Sequence, residues 1–120
     1  MDVVAKTPAP TPTAVAILGA GAWGTALAVQ AAGRQPTLLW ARDPDQAAQL
    51  AAERCNRRYL PDVALPAPLR VSASFDAAVE HVAAGGLFVV ATPMAGLREM
   101  LGRLPDGAAV LWLCKGFEAG

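Results

Sequence analysis

Five short, mostly apolar runs recur along the chain: residues 14–18, 37–41, 69–72, 87–91 and 108–114. Apart from 69–72, none alternates polar with apolar, which is the pattern of strands buried on both faces. The run 69–72 is the weakest, because it carries Arg70. The segments between them have helical character. Residues 22–32 are rich in Ala and stop at Gly33, as helices do. Asp43 and Pro44 provide an N-cap and a proline at the first helical position for a helix from Asp45 to Arg54. Ser74 caps a further helix to Ala84, ended by Gly85 and Gly86, and residues 93–104 form a fourth. Residues 56–68 hold Pro61, Pro66 and Pro68 and read as a loop crossing the surface. Strand–helix alternation predicts an α/β fold, a doubly wound parallel sheet. Right-handed crossovers give its five strands the order 3-2-1-4-5.

Residues 14–32 carry no charge, a length that a membrane span requires. However, Gly19, Gly21 and Gly24 fall inside that stretch, and each glycine costs a helix interior about 1 kcal/mol. The run therefore divides into strand, turn and helix, and no membrane insertion is expected. Residues 1–13 are a Pro/Thr-rich leader, expected to be extended and outside the fold. Asp2, Lys6 and three prolines exclude a secretory apolar region there, which leaves the cytoplasm as the expected location. The 120 residues suffice for one domain, residues 14–120. Ten Lys+Arg balance ten Asp+Glu, so no surplus of positive charge points to nucleic acid or an acidic membrane. Two cysteines, Cys55 and Cys114, are too few for a disulfide framework, and no metal site is expected.

The strongest chemical signal is Gly19-Ala20-Gly21-Ala22-Trp23-Gly24, a G-x-G-x-x-G between the first strand and the first helix. Each glycine has its own reason. Gly19 permits the tight turn, Gly21 lets backbone approach a pyrophosphate, and Gly24 lets the helix pack close on the strand. The helix start then offers N–H groups and about half a positive charge to the phosphates. This places a Rossmann-type dinucleotide site at the first turn. A turn needing glycine only for its backbone angles is the plainer alternative.

The end of the second strand selects between cofactors. An NAD site usually carries an acid there for the ribose hydroxyls, whereas this chain reads Trp40-Ala41-Arg42-Asp43. A guanidinium ~4 Å from a 2′-phosphate gains about 4 kcal/mol at an effective dielectric near 20, before desolvation. Asp43 already serves as a cap. Arg42 thus favours NADP over NAD, and a solvated loop charge is the alternative.

Five stretches together resemble the amino-terminal part of bacterial NAD(P)-dependent glycerol-3-phosphate dehydrogenases. They are residues 17–28, 39–44, the Asn56-Arg-Arg-Tyr-Leu-Pro61 loop, 90–93 and Trp112-Leu-Cys-Lys-Gly-Phe-Glu118, spread from residue 14 to the end. The resemblance implies that Ala22, through its backbone, and Trp23 touch the cofactor. Family members often have Ser where this chain has Ala22. It further implies that Arg42 contacts the adenosine 2′-phosphate end, that Tyr59 lies in a loop able to close over the cofactor, and that Lys115 contacts both nicotinamide cofactor and glycerol 3-phosphate. Lys115 also follows the fifth apolar run directly. It would therefore stand at the carboxyl edge of the sheet, where such folds bind ligands, with a solvated strand-end lysine as the alternative.

The same resemblance implies interconversion of glycerol 3-phosphate and dihydroxyacetone phosphate for glycerophospholipid synthesis, in an enzyme that is a homodimer. The family's catalytic lysine and most of its substrate contacts come from a second, helical domain that residues 14–120 do not match. The expectation is an incomplete domain that binds cofactor without turnover. A stand-alone NAD(P)-binding regulatory module and part of another Rossmann reductase remain open. The apolar fifth strand, at an edge of the sheet, is expected to pair with another chain or to be covered. Among other candidates, Trp40, Trp112 and Cys114 are expected to pack in the core. His81 is expected at the surface without an acid–base partner, Cys55 as a plain thiol, and Arg57 and Arg58 as solvated charges.

Overall fold

The computed structural model describes residues 13–83, 85–91, 102–105 and 107–112. The main sheet comprises β1 (Val15–Leu18), β2 (Thr37–Trp40), β5 (Arg70–Ser72), β6 (Leu87–Val90) and β7 (Ala109–Trp112), all paired in parallel. Its spatial order is β5-β2-β1-β6-β7, which is the expected 3-2-1-4-5. The register sets Ile17 between Leu39 and Val89, and Leu18 between Trp40 and Val90.

The pleat sends alternate side chains to opposite faces, and each face has its own core. Val15, Ile17, Leu39 and Val89 pack with Ala28, Ala32, Ala47 and Leu50 of the two helices on that side. Ala16, Leu18, Leu38, Trp40, Phe88 and Val90 pack with Phe75, Ala78 and Val82 on the other. Trp40 meets Phe75 edge-on at 5.4 Å and donates its indole N–H to the Ala73 carbonyl. Coverage of both faces explains why β1 and β2 are buried at every position.

Among the described residues, three helices supply this cover: α1 (Ala22–Ala32), α2 (Pro44–Glu53) and α3 (Phe75–His81). Asp43 accepts from the Asp45 N–H and Ser74 from the Ala77 N–H, so both expected caps are formed. α3 stops at His81, short of Ala84. His81 itself is half-buried. Its ring nitrogens lie 3.1 Å from the Pro36 carbonyl and 3.4 Å from the Arg70 guanidinium, contacts at the surface and neither of them with an acid–base partner. Arginine only donates, so Nδ1 accepts and Nε2–H points to Pro36. No helix among the described residues is long and apolar enough to cross a membrane.

The stretch expected to be a plain loop is instead a small antiparallel hairpin, β3 (Cys55–Asn56) and β4 (Leu60–Ala64). Proline tolerates such a position because Pro61 lies in a two-stranded sheet, where half the backbone donors face outward. The chain enters the hairpin through Arg54, a left-handed C-cap at φ 54° and ψ 38°. Its guanidinium donates to the Pro66 and Leu69 carbonyls at 2.6 and 2.8 Å and so straps down the segment that follows. Cys55 is a half-buried free thiol.

Candidate functional site

Strand order reverses around β1, whose neighbours β2 and β6 continue in opposite directions. Ligands of open α/β sheets bind outside the carboxyl ends of the strands at such a point. The turn from β1 to α1 lies there. Gly19 has φ 127°, a conformation that side chains oppose, and its N–H donates to the Trp40 carbonyl at 3.0 Å. Gly24 is the tightest position. A Cβ on it would lie 1.8 Å from the Gly19 carbonyl oxygen and 3.4 Å from the Ala91 Cβ. The helix thus lies against its own turn and against the end of β6.

Gly21 is the opposite case, since a Cβ there would meet nothing within 4 Å. It is the N-cap of α1, in extended conformation, and no side chain caps the helix. No acidic residue stands in the first turn. Donors at a helix start, beside open space and without a local carboxylate, suit an anionic group. These features fit the pyrophosphate of a dinucleotide.

The side chains expected to touch the cofactor are exposed. Trp23, in the first turn of α1, is 48% exposed, and Tyr59, in the hairpin turn, is 42% exposed. Only Leu111 of β7 joins them as an exposed large apolar side chain among the described residues. Arg42 is exposed at the end of β2. An open cleft of about 350 Å³ lies next to it, lined by Asp43, Asp45, Gln46, Gln49, Arg57 and Arg58. Arg57 pairs with Glu53, and Arg58 lies over the Tyr59 ring at 5.2 Å. Both arginines are thus engaged in local contacts at the rim of a cleft. Lys115, Cys114 and the leader 1–12 lie outside the described residues, as do most of the expected helix 93–104 and the side chain of Trp112.

Two residues that the sequence pattern left in the background hold the glycine turn. The Ala20 carbonyl, between Gly19 and Gly21, accepts from Gln46 Nε2 of α2 and from Asn56 Nδ2 of β3, each at 2.9 Å. Asn56 is fully buried. It also donates to Thr25 Oγ1 at 2.7 Å and accepts from the Tyr59 N–H at 3.2 Å. One side chain therefore joins the glycine turn, helix α1 and the hairpin turn. Asn56 opens the Asn56-Arg-Arg-Tyr-Leu-Pro61 stretch that carries the resemblance, but its neighbours give no sign of a tie to the glycine turn.

The chain from residue 14 to 120 matches the family model described as the NAD-dependent glycerol-3-phosphate dehydrogenase N-terminus. The chain belongs to that family. It is similar to glycerol-3-phosphate dehydrogenase [NAD(P)+] of Methylibium petroleiphilum, with 65% identity over 108 residues, covering 88% of this chain and 32% of the relative. The corresponding protein of Leptothrix cholodnii is 60% identical over 116 residues, covering 88% and 34%. The chain thus spans about a third of the length of the curated relatives it matches. Among solved structures, the glycerol-3-phosphate dehydrogenase of Coxiella burnetii superposes with a TM-score of 0.76 at 31% identity, covering 88% of this chain and 33% of that one. A yeast glycerol-3-phosphate dehydrogenase gives 0.69 at 19% identity over 86% of this chain and 33% of its own, a likeness of fold. The dehydrogenase N-terminal fold is therefore the Rossmann-type sheet described above.

Proposed function

We propose that this chain is the cofactor-binding part of an NAD(P)-dependent glycerol-3-phosphate dehydrogenase, an oxidoreductase acting on glycerol 3-phosphate and dihydroxyacetone phosphate in glycerophospholipid synthesis. The observation that carries the reading is the contrast within one turn. Gly24 has no room for a side chain, while Gly21 faces open space beside an uncapped helix start. The N–H groups of that start would hold the pyrophosphate, with Trp23 as an apolar wall. Arg42, next to the cleft at α2, would take the 2′-phosphate of NADP, and Tyr59 would approach from the hairpin turn. Lys115 would contact both the nicotinamide cofactor and glycerol 3-phosphate. When bound, the nicotinamide supplies or accepts the hydride. The described residues bind and orient it, and the turnover chemistry is assigned to none of them. The cytoplasm and a homodimeric enzyme belong to the same proposal.

Fluorescence titration of the chain with NADPH and NADH tests this. Saturable NADPH binding, tighter than NADH, is expected without reduction of dihydroxyacetone phosphate. Arg42→Ala is expected to weaken NADPH binding about tenfold, the loss of one charge-assisted contact of about 1.4 kcal/mol, and to leave NADH nearly unchanged. Failure to bind either cofactor overturns the proposal, and a clear preference for NADH overturns the role of Arg42.

A further inference from the structure

We infer that Asn56 is a positioning residue for the dinucleotide, which it orients through the Ala20–Gly21 peptide without touching it. The inference rests on the cofactor-binding reading above and adds to it the device that sets the glycine turn. A peptide bond is planar and trans, so its C=O and N–H point in opposite directions. The Ala20 carbonyl is fixed by two amide donors, Asn56 Nδ2 and Gln46 Nε2. Fixing it aims the Gly21 N–H in the opposite direction within the same peptide plane and limits its libration. Gly21 has no side chain to restrict it, so its own sequence does little to fix this peptide.

Asn56 suits the task because every polar atom of its amide has a partner. Nδ2 donates to Ala20 and to Thr25 Oγ1, Oδ1 accepts from the Tyr59 N–H, and the side chain is fully buried. A buried amide that is fully satisfied has one low-energy orientation. The same group thereby ties the position of Tyr59 to that of the glycine turn. Gln46 is half-buried and comes from a different element, so it makes the second, weaker hold.

The variants Asn56→Asp, Gln46→Ala and Arg54→Ala separate this role from support of the hairpin. Asn56→Asp keeps shape and the acceptor for Tyr59 but presents an oxygen to the Ala20 carbonyl. Arg54→Ala removes a different support of the hairpin, the guanidinium bonds to the Pro66 and Leu69 carbonyls, and leaves the Ala20 carbonyl held. NADPH titration is read beside the amide resonances of Gly21 and Ala22 in the ligand-free chain. Asn56→Asp is expected to raise the NADPH Kd about tenfold or more and to shift both resonances. Gln46→Ala is expected to raise it about threefold, and Arg54→Ala less than twofold with both resonances in place. Equal affinity in Asn56→Asp and the unsubstituted chain overturns the inference. So does an equal loss in Arg54→Ala. If Asn56→Asp no longer unfolds cooperatively, Gln46→Ala decides, and unchanged affinity and resonances there overturn the inference. An unsubstituted chain that binds no NADPH removes the cofactor reading itself. Normal binding by that chain with undisturbed variants removes only the role of Asn56.

Discussion

The glycine turn and the hairpin meet at one carbonyl, yet they are built on different principles. In the turn, the backbone is shaped by what is missing from Gly19, Gly21 and Gly24. In the hairpin, the backbone is shaped by what is present: Arg54 holds two carbonyls and Asn56 bridges three segments. Missing side chains act locally and leave a motif. Present side chains act mostly on partners that are remote in sequence, so the residues beside them do not show what they hold.

The largest expected effect breaks the first half of this comparison. Gly24→Ala would drive a Cβ against the Gly19 carbonyl, whose backbone cannot retreat without moving β1. Overpacking of that kind costs about 3 kcal/mol or more, which lowers the melting temperature by about 12 °C or more. A melt close to that of the unsubstituted chain would mean that the helix does not sit on its turn as described.

An intermediate effect belongs to the hairpin side. Arg54→Ala removes two charge-assisted bonds and leaves two carbonyls to water, a loss of about 2 kcal/mol in denaturant unfolding. Arg54→Gly is expected to lose less, because glycine relaxes the left-handed cap by up to about 1 kcal/mol. The reverse order would show that the left-handed cap carries no strain, and an Arg54→Ala loss near zero would show that the guanidinium contacts contribute little. The smallest effect is expected at Glu53→Ala. Its partner Arg57 is 65% exposed and Glu53 itself 44%, and exposed pairs contribute about 0.5 kcal/mol or less.

This contrast also accounts for what could be read from the residues. The five-stranded order followed from apolar runs, since strands covered on both faces need apolar residues throughout. Both caps followed from Asp43-Pro44 and Ser74, where the acceptor lies two or three residues from its donor. The hairpin did not follow, because Pro61 signalled a loop and the partners of Asn56 lie 31 and 36 residues away. The contacts of His81 did not follow for the same reason: the Pro36 carbonyl is 45 residues distant. Of the candidate site, Gly19, Gly21 and Gly24 were legible as chemistry. Arg42 followed from its place at the end of the second strand, and Trp23 and Tyr59 from resemblance, and all three stand exposed. Gln46 was not legible, because a glutamine on a helix looks solvated until its distant acceptor is known.

Gly21→Ala tests the central claim most directly, because Gly21 is the one position in the turn where stability and binding should part. Its extended backbone tolerates alanine, and a Cβ there meets nothing, so unfolding should change by only about 0.5 kcal/mol. The same Cβ would stand where a pyrophosphate must approach, so the NADPH Kd should rise about tenfold or more. A variant that melts normally and binds NADPH poorly is the expected result. A variant that binds NADPH as tightly as the unsubstituted chain would contradict the account.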